Sequence, residues 1–344
     1  MLTKWKHSLV AILLFAMLWP GSGAYSQSNK ISGYVFGDYY YIAACHDNSI
    51  EKNNGFWFRR IYFTYDHDLN ESFSARFRIE MNSPGNFTSN EKLQPFVKDA
   101  YLRWNHSRHN IIVGLSVTPT WQLVEKIWGL RFVEKTPLDL QKFGSSRDLG
   151  LALKGSFDSQ KRVNYHFMLA NGGGTSSETN PGKKVLFSLS AKPTPNFIVE
   201  GYADFEERPG RRNRYTLQGF AAYQQDDLRF GVQFAHQTRQ IFEDREKLNL
   251  QIASVFAATR FSPHIWAFAR YDRNFDPNPD AGKIAYVPFI ATAKTNFVLL
   301  GLDLSLSKAV HLSPNVELIV YDKVSGERHD ADVIPRITFY YVYQ

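Results

Sequence analysis

Phe73-Ser74-Ala75-Arg76-Phe77-Arg78-Ile79-Glu80-Met81 decides the fold. Phe73, Ala75, Phe77, Ile79 and Met81 alternate strictly with Ser74, Arg76, Arg78 and Glu80. Successive side chains of an extended chain point to opposite sides, so a period of two means a strand with one apolar and one polar face. The same pattern recurs in 196–206, where Phe197, Val199, Ala203 and Phe205 oppose Glu200, Tyr202, Asp204 and Glu206. It recurs in 228–235, and again where Val298, Leu300, Leu302, Leu304 and Leu306 oppose Asp303 and Ser305.

About sixteen such segments follow one another: 31–45, 56–68, 71–82, 96–106, 110–119, 147–157, 162–170, 183–192, 196–206, 213–225, 228–240, 248–262, 264–274, 297–307, 315–323 and 333–343. Most exceed the usual strand of about five or six residues and suffice for the roughly 9–11 needed to cross a bilayer at a tilt. Leu69-Asn70, Ser107-Arg108, Pro193-Thr194-Pro195 and Ser262-Pro263 are tight turns, whereas 83–95, 120–146, 171–182 and 275–296 are long connectors. Loop lengths sorted by parity belong to an outer-membrane barrel, with short turns on one side and long loops on the other. The expectation is an all-β, closed antiparallel barrel of about sixteen strands, wide enough for an aqueous lumen. The alternative architecture is a large soluble sandwich or β-helix.

Composition agrees. Aromatic residues make up 15% of the 344, the net charge is +7, and there is one cysteine. A disulfide framework and a Cys/His zinc arrangement are excluded on that count, and beyond the chain start no apolar run reaches the roughly 18 residues of a spanning helix. Residues 1–26 read as an export signal: Lys4, Lys6 and His7, then the apolar stretch Leu9–Trp19, then Pro20-Gly21-Ser22-Gly23 and small residues at Ala24 and Ser26. Removing it takes two lysines and no acids, leaving +5 on residues 27–344, the barrel domain. That charge forms no basic patch, so nucleic-acid binding is not expected. Alternation starts within ten residues of the expected cleavage point, which leaves no room for a plug domain and favours passive diffusion over energy-coupled uptake.

The connector Thr120–Ser146 is the most informative. Trp121, Leu123, Val124, Ile127, Trp128, Leu130, Phe132 and Val133 are too many large apolar groups for a solvated loop. The economical arrangement folds this third long loop inward against the barrel wall, with Lys126, Arg131, Lys135 and Arg147 beside the ion path. A helix capping the barrel mouth is the alternative.

Gly55-Phe56-Trp57-Phe58-Arg59-Arg60-Ile61, Phe73–Glu80, Lys98-Asp99-Ala100-Tyr101-Leu102, Ile112–Pro119, Phe132-Val133-Glu134-Lys135 and Arg147–Leu151 occur in that order. Over residues 31–157 this resembles the bacterial outer-membrane phosphate-selective porins. The resemblance implies a sixteen-stranded homotrimeric channel whose arginines and lysines pass phosphate or similar anions. The last segment, with Ile337, Phe339, Tyr341 and Tyr343 on one face, resembles the C-terminal strand of bacterial outer-membrane proteins.

Strand phase places Arg60, Arg76, Arg78, Arg103, Lys154, Lys184, Lys192, Arg214, Arg229 and Arg336 on inner faces, together with Glu80, Asp99, Glu200, Asp204 and Asp303. Fixed arginine forks and lysine point charges along a polar wall suit an anion path. The functional expectation is a passive channel for small hydrophilic or anionic solutes, in contact with outer-membrane lipid and with weak anion preference. A surface-binding or structural barrel, and a barrel hydrolase, are the alternatives. Asn105-His106-Ser107 cannot form a triad, because adjacent strand residues point apart, so no enzyme and no cofactor are expected. Asp272, Asn274, Asp276, Asn278 and Asp280 mimic the start of a calcium loop, but Pro277 and Lys283 occupy positions that need Gly and Glu. They read as a solvated loop rather than a metal site, and Cys45 reads as a spare thiol.

Overall fold

The computed structural model describes residues 28–88, 90–241 and 246–344. The expected export signal, residues 1–26, lies outside them. Sixteen strands close into one antiparallel barrel. They are β1 (Asn29–Tyr41), β2 (Asn54–Asp68), β3 (Phe73–Asn82), β4 (Gln94–His106), β5 (His109–Val117), β6 (Arg147–Ser156), β7 (Val163–Ala170), β8 (Lys184–Ala191), β9 (Phe197–Glu206), β10 (Arg214–Gln225), β11 (Leu228–Ile241), β12 (Glu246–Ser262), β13 (Ile265–Asn274), β14 (Thr295–Ser307), β15 (Val310–Tyr321) and β16 (Asp332–Tyr343). Every strand pairs with its sequence neighbours, and β1 pairs with β16 to close the ring. β15 begins earlier than the sequence pattern indicates, at Val310 directly after a two-residue turn.

The distribution of side chains is inverted relative to a water-soluble protein. Phe230, Val232 and Phe234 lie exposed on the outside of β11, while Gln233, Gln237 and Arg239 of the same strand are buried inside. An apolar belt around a polar interior is what hydrocarbon requires of a spanning barrel, and closure leaves no sheet edge unpaired.

Two glycines lie in the seam that closes the ring. Gly33 and Gly37 of β1 lie opposite Tyr343 and Phe339 of β16. The two rings lie over the glycine positions: a Cβ at Gly33 would come within 2.3 Å of the Tyr343 ring, and one at Gly37 within 2.7 Å of Phe339. Ring over glycine covers the bare backbone that glycine leaves in a strand.

The register shifts in four strand pairs among the described residues, and two of these β-bulges carry charged residues. Phe36 pairs with Arg60 but Gly37 pairs with Phe58, so Arg59 is an extra residue in β2. Arg78 pairs with Asp99 but Ile79 pairs with Val97, so Lys98 is extra in β4. A bulge re-aims a side chain, and here Arg59-Arg60 and Lys98-Asp99 each form ion pairs on the polar side.

Candidate functional site: a basic channel wall

Thr118–Ser146 connects β5 to β6 and carries two short helices, α1 (Gln122–Trp128) and α2 (Pro137–Leu140). Gly129, with φ of 68°, ends α1 in the left-handed region that glycine tolerates best. Trp121, Val124, Ile127, Trp128, Leu130 and Val133 are all buried. They share one core with inward residues of the wall, among them Phe36, Phe220, Phe256 and Phe297. Trp128 meets Phe256 and Phe268 edge-on, and Phe132 stacks on Tyr340 at 4.7 Å between ring centres. Burying each large side chain contributes about 1.5–3 kcal/mol.

A loop packed this way leaves backbone carbonyls without helix or sheet partners, and those left away from water need donors. Wall side chains supply them. Arg59 donates to Val133 O at 2.5 Å, Gln237 to Phe143 O at 2.6 Å, Arg229 to Trp128 O at 3.3 Å, and Arg270 to Lys135 O. The 275–294 connector joins the same core through Ala281, Ile284, Val287 and Phe289. The solvated loop expected around 272–280 is therefore overturned at its centre. Asn278 is buried and donates to Gln141 O at 2.8 Å, Asp272 pairs with Arg270, and Asp276 accepts from the Gln251 backbone. These acids serve separate partners and do not converge on one point.

The loops share their core with β1, β2 and β9–β16, and the wall from β3 to β9 carries a smaller buried cluster of its own, with Ile112, Met168, Leu186 and Tyr202. Two cavities run along this wall. The first, 310 Å³, is lined by Arg76, Lys98, Arg103, Arg131, Arg147 and Lys154, six cations, against three carboxylates, Asp99, Glu125 and Asp139. The second, 510 Å³, is lined by Arg108, Lys126, Lys154, Lys161 and Lys192, five cations, against Glu200 alone. Lys154 and Gln122 belong to both, so the two form one basic track.

The residues singled out from the sequence fall into three groups. Arg76, Arg103, Arg131, Arg147 and Lys154 line the first cavity, and Lys126 and Lys154 the second. Arg60 and Arg78 stand beside them, Arg60 on Glu80 at 2.6 Å and Arg78 on Asp99 at 3.2 Å. Lys135 is 7% exposed and lines neither cavity. Their charges are compensated unequally. Glu80 serves two cations, Arg60 and Lys98, and Asp99 serves Arg78 and Arg147. Arg76 holds Asp66 through two bonds, and Arg131 lies between Glu125 and Asp139 at 3.2 and 3.3 Å. Arg103 donates to the Tyr101 hydroxyl at 2.7 Å, and neither it nor Lys154 has a carboxylate within 4.0 Å among the described residues. Of the other inner cations, Lys184 and Arg336 are fully ion-paired, and Arg229 lies over the Trp266 ring at 4.5 Å.

Arg59 and Lys98 are the residues that the alternation concealed. Arg59 joins Glu134 at 2.5 Å and Asp38 at 3.6 Å, beside Arg336, which joins Asp38 at 3.0 Å and Glu317 at 2.9 Å. Burial pushes the Glu134 carboxyl up, but Arg59, Lys135 and Arg336 outweigh it and hold it well below the usual range.

Burial pushes the Lys135 ammonium down to about 7; Asp139 opposes the shift and Arg60 adds to it. The unfolded chain holds that proton up to about pH 10.4. Between about pH 7 and 10.4 the unfolded state binds more protons, so this residue's contribution to stability rises with pH there and is flat below. Lys135→Met is expected to raise the urea midpoint in detergent near pH 7 and to lose that gain toward pH 10. An equal difference between variant and parent across the window would contradict this.

No protein-family model matches the sequence, and no curated protein matches it. Solved structures do. The anion-selective porin from Comamonas acidovorans superposes with a TM-score of 0.69 at 12% identity, over 92% of this chain and all of that one. Salmonella typhi OmpF, solved with daunomycin, gives 0.68 at 12% identity over 92% of this chain and 97% of that one. The outer-membrane channel DcaP of Acinetobacter baumannii gives 0.64 at 11% identity, over 95% of this chain and all of that one. At such identities the shared property is the fold, and this chain is a closed barrel of porin type.

Proposed function

We propose that this chain is an outer-membrane porin, a passive channel for small hydrophilic solutes with a preference for anions of the phosphate or carboxylate kind. The cation excess around the two cavities carries the reading: both are dominated by lysine and arginine, and Arg103 and Lys154 are not neutralised. Ion pairs hold the remaining forks at fixed angles, which suits bidentate recognition of a passing oxyanion. Preference rather than strict selection follows from Asp99, Glu125 and Asp139 on the same path. Export through residues 1–26 and assembly as a homotrimer are parts of this proposal, supported by the composition of the chain start and by the resemblance of residues 31–157.

Planar-bilayer recording of the purified barrel tests the reading. Discrete conductance steps are expected, with a reversal potential of anion sign in a potassium chloride gradient. Phosphate added to one side should lower the chloride current. Absence of steps would move the protein to the surface-binding class, and a cation-sign potential would remove the anion preference.

A further inference from the structure

Cys45 is the chain's one cysteine, and it is 1% exposed. An exported barrel gains nothing from an unpaired thiol on its surface, and this one is withdrawn into the connector that follows β1. The connector curls back onto the barrel: Ala43 and Ala44 both donate to Val333 O, and Val333 donates to Ala44 O at 2.9 Å. That pairing sets Cys45 and His46 against Asp332, the first residue of β16. His46 Nδ1 lies 2.8 Å from Asp332 Oδ1 and 4.0 Å from Cys45 Sγ, and one donor atom from each of the three lies within 4.8 Å of the others.

Asp332 is fully buried, and among the described residues its one ionic partner is His46, which is charged only when protonated. Buried carboxylates otherwise pair with a cation or coordinate a metal. A thiolate, a carboxylate and a neutral imidazole carry two negative charges together, and a divalent ion cancels them. Sulfur, nitrogen and oxygen donors suit zinc, whose ligand distances of about 2.0–2.3 Å put tetrahedral donors roughly 3.3–3.8 Å apart. The present spacings, 2.8 and 4.0 Å with the third pair inside 4.8 Å, reach that by shifts of about an ångström or less. The carboxylate is already oriented: the His46 backbone N–H donates to it at 2.8 Å, and the Tyr321 hydroxyl bonds its other oxygen. His46 also lines a 450 Å³ cavity among the connectors, which gives water a route to a fourth position.

We propose that Cys45, His46 and Asp332 bind one zinc-class divalent cation, which staples the 42–53 connector to the start of β16. This replaces the reading of Cys45 as a spare thiol and the exclusion of a Cys/His zinc arrangement, since Asp332 supplies the ligand that a single cysteine lacks.

The test uses the full-length barrel folded in detergent, stripped with chelator and titrated with Co²⁺ alone. One cobalt per chain is expected, with a sulfur-to-cobalt charge-transfer band in the near ultraviolet that Zn²⁺ abolishes by displacement. Cys45→Ser should lose the band, and His46→Ala and Asp332→Asn should each weaken binding at least tenfold. Heat-dependent gel migration reports whether each variant is folded. If Cys45→Ser fails to fold, protection of the parent's Cys45 from alkylation by Zn²⁺ gives the same information. A folded parent with no charge-transfer band overturns the proposal, and so does a band that survives unchanged in both His46→Ala and Asp332→Asn.

Discussion

Arg103→Glu combined with Lys154→Glu is expected to reverse the sign of the reversal potential, from the anion sign proposed above to the cation sign. Six cations and three carboxylates line the first cavity, an excess of three positive charges. Two charge reversals remove four, leaving an excess of one negative. Both residues lack a carboxylate partner, so replacing them strips no buried acid of its counter-ion. A unit charge about 4 Å from a passing ion is worth about 1 kcal/mol in water, and salt near 0.1 M screens beyond about 10 Å. Allowing on the order of 0.5 kcal/mol per charge, the four-unit change moves the anion-to-cation permeability ratio by more than tenfold. Near 1 M salt, where the screening length is about 3 Å, the shift should shrink. Lys154 lines both cavities, so its single replacement should produce more than half of the effect. An unmoved reversal potential in the double variant, with conductance intact, would take the basic wall out of the ion path.

The second large effect belongs to Arg59→Ala. This guanidinium is 1% exposed and ties the loop to the wall through Val133 O and Glu134. Together with Arg336 it serves three buried carboxylates, Asp38, Glu134 and Glu317. Removing one partner of a buried pair leaves a charge without compensation and typically costs about 3–5 kcal/mol. The urea midpoint should fall accordingly, and single-channel conductance should rise and become noisier as Phe132 and Val133 lose their anchor. Glu134→Gln added to Arg59→Ala should recover part of the loss, since it removes the charge left behind. Parental stability in Arg59→Ala would show that the cluster does not hold the loop.

Most of the barrel was legible because lipid outside and water inside impose the same period of two on every strand. All sixteen segments correspond to strands, and the inward arginines of β3 follow directly from the phase of Phe73, Phe77 and Ile79. The two charged bulges were not legible as plain alternation, yet they leave a mark. Outward apolar residues step by two except from Phe58 to Ile61 and from Val97 to Ala100, where they step by three. Those steps enclose Arg59-Arg60 and Lys98-Asp99, the pairs that assemble the charge clusters. Apolar loop residues announced a buried connector but not which charges would face water. Lys126 and Arg131 sit five positions apart and line different cavities, because Lys126 belongs to α1 and the turn at Gly129 redirects the chain before Arg131. The contact of Cys45 with Asp332 joins the two ends of the sequence, and no local pattern encodes it.

The glycine-and-ring seam between β1 and β16 has a kinetic consequence. Bringing strands some 300 residues apart together costs about 5 kcal/mol of chain entropy, against about 3 for the longest neighbouring connector, between β5 and β6. Fifteen hairpin pairings are local in sequence and this one is not, so it forms last, after most of the sheet exists. Until then two edges present unpaired amides, which hydrocarbon penalises by several kcal/mol per group. An open sheet of this chain therefore cannot rest inside a bilayer. Completion of the seam, with Tyr343 and Phe339 settling over Gly33 and Gly37, must accompany insertion rather than follow it.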